Sequence, residues 1–239
     1  MAIAAWKRFE TAPRYQRGKM WLRRLIGQEL WIAPEIDIPF THDGGWYYDD
    51  RDLDERSVVY SLGIGDNIDF DLALIERTGA TVHAFDPTPG IRGTLDASDL
   101  PQQFHSHAWA ASGEDGTLTL YPRVSKSGNR SDVMYTLAPD AASTEAAIEV
   151  PAYTIASLQD KLGDKNIDIL KIDIEGAEYE VLDSLLDSAV RPTQILVEFH
   201  HRFKGIGLKA TRRTLARLHD AGYRIFAVGH IGREASFLY

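Results

Sequence analysis

Between Ile167 and Leu186 the chain reads Ile-Asp-Ile-Leu-Lys-Ile-Asp-Ile-Glu-Gly-Ala-Glu-Tyr-Glu-Val-Leu-Asp-Ser-Leu-Leu. An apolar strand carries Lys171, Asp173 and Glu175 on alternate positions, breaks at Gly176 and enters an amphipathic helix. A strand covered on both faces in a parallel sheet is nearly all aliphatic. Ionised groups inside it are costly unless paired or solvated. They are tolerated at the strand's carboxyl end, where open α/β sheets keep their ligand crevice. The segment therefore predicts an α/β sheet with an acidic active-site edge. The plainer alternative is a strand tip that runs out into solvent.

The flanking sequence repeats the alternation. Val58 to Ile64 reads as a first buried strand ending in the turn Gly63-Ile64-Gly65-Asp66-Asn67, and apolar residues from Phe70 to Ile75 follow helical spacing up to Gly79. Thr81 to Phe85 is a second strand closed by Asp86-Pro87, and Phe104 to Ala111 a third. Thr117 to Val124 alternates like a half-exposed strand, and the polar stretch Ser125 to Asp132 has the composition of a lid. Val150 to Ile155 is extended, Ala156 to Leu162 helical, and Thr193 to Phe199 an aliphatic strand whose end bears Glu198, His200 and His201. Leu208 to Ala221 is a helix, and Tyr223 to Val228 and Glu234 to Tyr239 are strands. Strands alternating with helices imply right-handed βαβ units. Only Gly229 to Arg233 separates the last two strands, so these should pair as an antiparallel hairpin.

A chain of 239 residues suits one α/β domain, read as 58–239, behind an N-terminal extension, 1–57, that serves as a lid or packing segment. The net charge of −9 argues against general affinity for nucleic acid. The chain has no Cys, which removes disulfides, thiolate metal sites and thiol nucleophiles and fits a cytoplasmic location. No apolar run is long enough for a transmembrane segment. Near the start, Lys7, Arg8, Arg14, Arg17, Lys19, Arg23 and Arg24 are interleaved with Trp6, Phe9, Trp21, Leu22 and Leu25. This pattern predicts a helix docking its aromatic face on its own domain, the alternative being contact with a membrane surface or an acidic substrate.

Gly63, Ile64, Gly65 and Asp66 form a turn in which the backbone can approach a ligand closely. Asp86 follows at the next strand end, before Pro87, placed to accept hydrogen bonds from two ribose hydroxyls. Nicotinamide dinucleotides and S-adenosylmethionine are the candidate ligands. The third glycine of the dinucleotide fingerprint is missing, the positions after Asp69 being Phe70 and Asp71. Asp66 and Asp69 would repel a pyrophosphate, whereas a sulfonium tolerates them. The C-terminal hairpin resembles the antiparallel last strand of the class I methyltransferase sheet. S-adenosylmethionine is therefore the preferred cofactor, with a nicotinamide-dependent oxidoreductase or a non-catalytic nucleoside-binding protein as alternatives.

Leu170 to Glu178, followed by Val181-Leu182, resembles the signature of FkbM-type S-adenosylmethionine-dependent methyltransferases. Val59 to Gly65, Ala84-Phe85-Asp86-Pro87 and Val197-Glu198-Phe199-His200 are similar to that family's other motifs. The resemblance implies a Rossmann-like seven-stranded α/β sheet and O-methylation of a hydroxyl on a small-molecule or saccharide acceptor. The family's Asp-hydrophobic-Gly opening is Ser61-Leu62-Gly63 here, so one carboxylate is replaced, with Asp66 or Asp69 as the expected compensation.

A hydroxyl acceptor must lose its proton. His200 is the first candidate base and Asp173 the second, with Glu175 and Glu198 beside them and Lys171 as an ion-pair partner. The same carboxylates and histidine suit a divalent cation, a less favoured alternative. In the structural alternative Glu178 and Glu198 merely cap or pair with Lys171 and Arg202. His107 and Trp109 fall where this fold seats adenine, although Trp109 suits the core equally. Trp46, Tyr47, Tyr48 and Tyr135 are candidates for an acceptor pocket. Nothing in the sequence decides whether the chain forms a homo-oligomer.

Overall fold

The computed structural model describes residues 13–96, 99–124, 130–136, 146–203, 205–230 and 232–239. Its centre is a seven-stranded sheet built from the most aliphatic segments. These are β3 (Val58–Leu62), β4 (Thr81–Phe85), β5 (Phe104–His107), β10 (Ile169–Ile172), β11 (Gln194–Glu198), β12 (Arg224–Val228) and β13 (Glu234–Leu238). Their order is β12-β13-β11-β10-β3-β4-β5. β13 is antiparallel to both β11 and β12, and the other neighbours are parallel. This is the class I methyltransferase sheet with its inserted antiparallel strand. From β3 the chain builds outward through β4 and β5, then returns and builds the other way from β10. The switch point lies between β3 and β10, where open sheets of this kind hold their ligands.

Helices cover both faces. α2 (Asp69–Thr78) packs on one face, where Val59, Ile169 and Leu196 meet Phe70, Leu74 and Ile75. α4 (Ile155–Leu162), α5 (Glu178–Asp187) and α6 (Leu208–Asp220) cover the other, over Tyr60, Leu170, Ile172 and Val197. α2 and α4 both stop at a glycine in the left-handed conformation, Gly79 and Gly163, as helix C-termini favour.

Four features depart from the sequence expectation. Phe104 to Ala111 is not one strand: β5 ends at His107, and β6 (Ala110–Ala111) leaves the central sheet to pair with β9 (Ile148–Tyr153). With β7 (Gly116–Val124) and β8 (Arg130–Thr136) these form a second sheet of order β6-β9-β7-β8. The alternation of β7 is legible, but its pairing with β8 and β9, and that of β9 with β6, is not written in any local pattern. A further helix, α3 (Pro89–Asp96), occupies a stretch whose two glycines disguise it. Proline suits a first helical position, and Ile91 and Leu95 bury the inward side.

The N-terminal segment reverses its expected orientation. In α1 (Pro13–Leu25) Met20 is buried, while Trp21, Leu22 and Leu25 are each more than half exposed, at 57%, 56% and 55%. Polar contacts hold the inner side. Buried Glu29 faces His201 Nε2 at 2.5 Å and accepts from Arg202 Nε at 3.0 Å, and Arg202 Nη2 reaches Met20 Sδ at 3.1 Å. Burial opposes its charge, but His201 and Arg202 outweigh it and hold the Glu29 carboxyl down to about 2. Trp6, Phe9, Lys7 and Arg8, and Ser125 to Asn129 of the expected lid, lie outside the described residues. Arg130 to Asp132 open strand β8.

A short hairpin, β1 (Thr41–Asp43) and β2 (Trp46–Tyr48), has no counterpart in the sequence expectation either. Gln194 at the base of β11 fixes it there, accepting from the Asp49 N–H at 2.8 Å and donating to the Asp49 carbonyl at 2.7 Å.

Candidate active site

At the switch point Gly63 and Gly65 turn the chain with φ of +70° and +54°. A Cβ on Gly63 would lie 1.9 Å from the Asp173 carbonyl oxygen, so glycine is what lets β3 and β10 end side by side. A Cβ on Gly65 would meet no atom within 4 Å. Its side faces open space. The Gly65 N–H donates to Asp86 Oδ2 at 3.1 Å, and the Thr88 N–H to Asp86 Oδ1 at 2.9 Å. Asp86 is thus oriented by two backbone donors, with lone pairs left over for a ligand.

A cavity of about 460 Å³ opens over this turn. Its floor is Gly63, Ile64, Gly65, Asp66, Asp86 and Pro87; Ala110, Ala111, Leu118 and Leu120 of the second sheet form an apolar wall, and Trp46 and Phe70 another. Lys171, Asp173 and Glu175 complete it. Asp66, Asp86, Asp173 and Glu175 make the lining acidic, with Lys171 the cation among the described lining residues.

Behind Asp173 lies a cluster that β10 and β11 assemble with the loops following them. His200 is buried, its Nε2 3.7 Å from Asp173, 3.9 Å from Glu198 and 4.0 Å from Glu175, and its Nδ1 3.4 Å from Glu178. Glu178 is fully buried and ties the two loops together: it accepts from the Gly176 N–H at 2.8 Å and the His200 N–H at 2.6 Å. Glu198 is held by Arg233 Nη1 at 3.1 Å. The structure thus gives Glu178 backbone partners and Glu198 an arginine, Arg233, rather than Lys171 or Arg202.

The charges decide who holds protons. Burial opposes the charged imidazole, but Glu178, Glu198 and Asp173 outweigh it and raise His200 above its ordinary value. Burial, then the Asp173 charge, pushes Glu198 up to about 7 against the pull of Arg233 and His200. Burial also raises Asp173, with Lys171 and His200 opposing. The cluster titrates as a unit.

His200 and Glu198 do not line the cavity; Asp173 and Glu175 do. Nor do Trp109 and His107 line it. Trp109 stacks on His107 at 4.8 Å, meets Tyr153 edge-on and lies under Lys161. His107 borders only a recess of about 20 Å³ behind Asp86. Of the aromatic candidates, Trp46 lines the cavity, while Tyr48 is buried with its hydroxyl on Asp43 and Tyr47 stacks on His42. The side chain of Tyr135 lies outside the described residues.

Asp173, Glu198 and His200 can each bring one ligand atom within 4.8 Å of the others. They fit a divalent cation poorly. Arg233 already engages Glu198, one of the three candidate ligands, at 3.1 Å.

Sequence reasoning missed Asp71. Compensation for the carboxylate lost at Ser61 was expected from Asp66 or Asp69, both of which are exposed. Asp71 is instead completely buried, and burial raises its proton affinity against the opposing pull of the Lys171 and Ser61 side chains. Its signal was available: helical spacing puts position 71 on the same stripe as Leu74 and Ile75.

This sheet order, with its ligand cavity at the switch point, defines a class I methyltransferase fold. The family model for the methyltransferase FkbM domain matches residues 53–225, and the chain belongs to that family. A comparison with curated proteins finds no match. Among solved structures, an FkbM methyltransferase from Methylobacillus flagellatus KT is similar at 15% identity and a TM-score of 0.46. That likeness covers 78% of this chain and 44% of the other, so the chain spans less than half of that relative's length. Aeropyrum pernix fibrillarin, solved with bound S-adenosyl-L-methionine, is similar at 10% identity and a TM-score of 0.42, covering 77% of this chain and 66% of that one. A precorrin-6y C5,15-methyltransferase from Geobacter metallireducens GS-15 is similar at 12% identity and a TM-score of 0.40, covering 79% and 84%. None of the described helices is long and apolar enough to cross a membrane.

Proposed function

We propose that the chain binds S-adenosylmethionine in the 460 Å³ cavity and methylates a hydroxyl of a small-molecule or saccharide acceptor. The observation that carries this is an acidic cavity at the switch point, floored by a turn whose Gly65 leaves room for a ligand. Asp66, Asp86, Asp173 and Glu175 favour a sulfonium and oppose the pyrophosphate of a nicotinamide dinucleotide. When bound, S-adenosylmethionine supplies an electrophilic methyl group for in-line displacement at carbon. Asp86, already oriented by Gly65 and Thr88, receives the ribose hydroxyls.

Asp173 is the base in this reading, ahead of His200. It reaches the cavity, and its raised proton affinity suits it to accept the acceptor's hydroxyl proton. His200 and Glu198 share that proton behind it, and Glu178 keeps His200 in position. The apolar wall of Ala110, Ala111, Leu118 and Leu120 excludes water beside the reacting centre.

Isothermal titration with S-adenosylmethionine and S-adenosylhomocysteine tests the reading. Micromolar binding is expected, with the same affinity with and without Mg²⁺. Replacing Asp86 by Ala should weaken binding by about 1–3 kcal/mol, the worth of charge-assisted hydrogen bonds. Absence of binding by the folded protein, or micromolar binding of NADH instead, overturns it.

A further inference from the structure

One face of the central sheet is interrupted by polar side chains the methyl-transfer reading does not use. Ser61 on β3 and Lys171 on β10 are register neighbours, and α2 lays Asp71 over them. The surroundings are apolar: Val59, Ile169, Leu74 and Leu196. Asp71 is 0% exposed and Lys171 3%. Neither Asp71 oxygen nor the Ser61 hydroxyl has a partner in good hydrogen-bond geometry, although Ser61 lies close enough to favour the Asp71 charge. Among the described residues Lys171 makes no salt bridge within 4 Å. Its Nζ lies 5.1 Å from the centre of the Trp46 ring, and both residues line the cavity.

An unbonded buried carboxylate beside a buried ammonium is costly, and fold stability alone would be better served by aliphatic side chains. The arrangement makes sense if a missing group completes it. Asp71 is the nearby carboxyl group on the sheet side of Lys171, and the aromatic face of Trp46 favours a cation from the cavity side. The rest of the described charged lining is anionic, so an anionic group on a ligand has one charged side chain to turn to.

We propose that Lys171, with Asp71 as its counter-ion, forms the subsite for the α-carboxylate of the cofactor's amino-acid tail. The proposal rests on the S-adenosylmethionine reading above. It divides the cavity by charge. Asp86 takes the ribose hydroxyls, the acidic rim faces the sulfonium and the α-ammonium, and Lys171 takes the carboxylate. Asp71 is a positioning residue that acts through Lys171.

Titration with two nucleoside thioethers tests this, S-adenosylhomocysteine and methylthioadenosine, which lacks the amino-acid tail. The wild-type protein should bind the first more tightly. Lys171→Met, close to lysine in shape, should lose about ten-fold or more in affinity for S-adenosylhomocysteine, the scale of a hydrogen bond to a charged group. Its affinity for methylthioadenosine should be unchanged, which also shows that the variant is folded. Equal loss for both ligands, or loss for neither, overturns the subsite. Should Lys171→Met not fold, Asp71→Asn examines the pair from the other side. An uncompensated Lys171 should widen the preference for the tailed ligand, and a preference that stays the same or narrows refutes the pairing. Wild-type protein that binds neither ligand would instead refute the cofactor reading itself.

Discussion

The two ends of the cavity are built by different means. The glycine-turn end is a backbone device: Gly63 is set by a carbonyl that would touch its Cβ, and Asp86 by two N–H donors. The acidic end is a side-chain device, with Asp173, Glu198 and Glu178 arranged around one buried imidazole. The first is set by backbone geometry. The second depends on where its protons lie. A mutation at the turn should therefore act through shape, and one at the rim through charge.

The largest expected effect is at Gly63. Alanine there combines a left-handed backbone with a collision against the Asp173 carbonyl, and should cost about 2–5 kcal/mol of stability. Gly65→Ala separates shape from binding, because its Cβ meets only open space. It should melt within about 1–2 kcal/mol of wild type, the cost of its positive φ, yet lose S-adenosylhomocysteine affinity. Thermal melts paired with titration check both. If Gly65→Ala binds normally, the ligand does not approach this turn.

Glu178 should have an effect of comparable size. Alanine would strand the Gly176 and His200 N–H groups and remove a carboxylate from the imidazole, at a cost of about 3–5 kcal/mol. Glu178→Gln retains an acceptor oxygen and should recover part of that loss. The proportion recovered measures how much of the rim is held by hydrogen bonding and how much by charge. If both variants melt like wild type, the two loops are not joined through Glu178.

The contrast also explains what could be read in the sequence. Gly63, Gly65 and Asp86 were legible because their roles are local: a turn after a strand and a carboxylate at the next strand end. The charges at 171, 173 and 175 were legible because they break an aliphatic run. The proton assignment was not. The sequence already sets Asp173, Glu175 and Glu198 near His200, but Glu178, read as a capping or pairing residue, proves to lie 3.4 Å from its Nδ1. Arg233 arrives from the final hairpin to hold Glu198, and no spacing within β11 announces it. Likewise β7 and β9 read as extended segments, but β6 and β9 pair across a long insertion, so their union into a second sheet had no local signature.

Acidity offers a finer test of the rim. The Glu198 carboxyl is raised from 4.5 to about 7, so the folded state holds a proton that the unfolded chain releases. Stability from this group is full below about pH 4.5 and is lost as pH rises through about 7. Glu198→Gln removes that loss and should stabilise the protein at pH 8, by on the order of 1–3 kcal/mol, while changing little at pH 4. His107 runs the other way. Burial lowers it to about 4, so its contribution is present above pH 6.5 and is lost as pH falls towards 4. Melting curves across pH 4–8 distinguish the two. If Glu198→Gln leaves the alkaline side unchanged, Arg233 keeps Glu198 ionised throughout.

The smallest expected effect on binding is at Trp109, and it marks where the turn end of the cavity stops. Trp109 continues a stack from Phe85 through His107, with ring centroids 4.9 and 4.8 Å apart, and then turns its edge to Tyr153. Lys161 lies over both Trp109 and Tyr153, on the side of the sheet that α4 covers. A ring held on both sides by its own domain has no free face to offer a ligand. Trp109→Phe keeps the stack and should leave the S-adenosylhomocysteine dissociation constant within about two-fold, under half a kcal/mol. A ten-fold loss would mean that the ligand reaches past Asp86 to the Trp109 side of the sheet. The recess of about 20 Å³ behind Asp86, bordered by His107, Ala108 and Ser106, would then have to open for it.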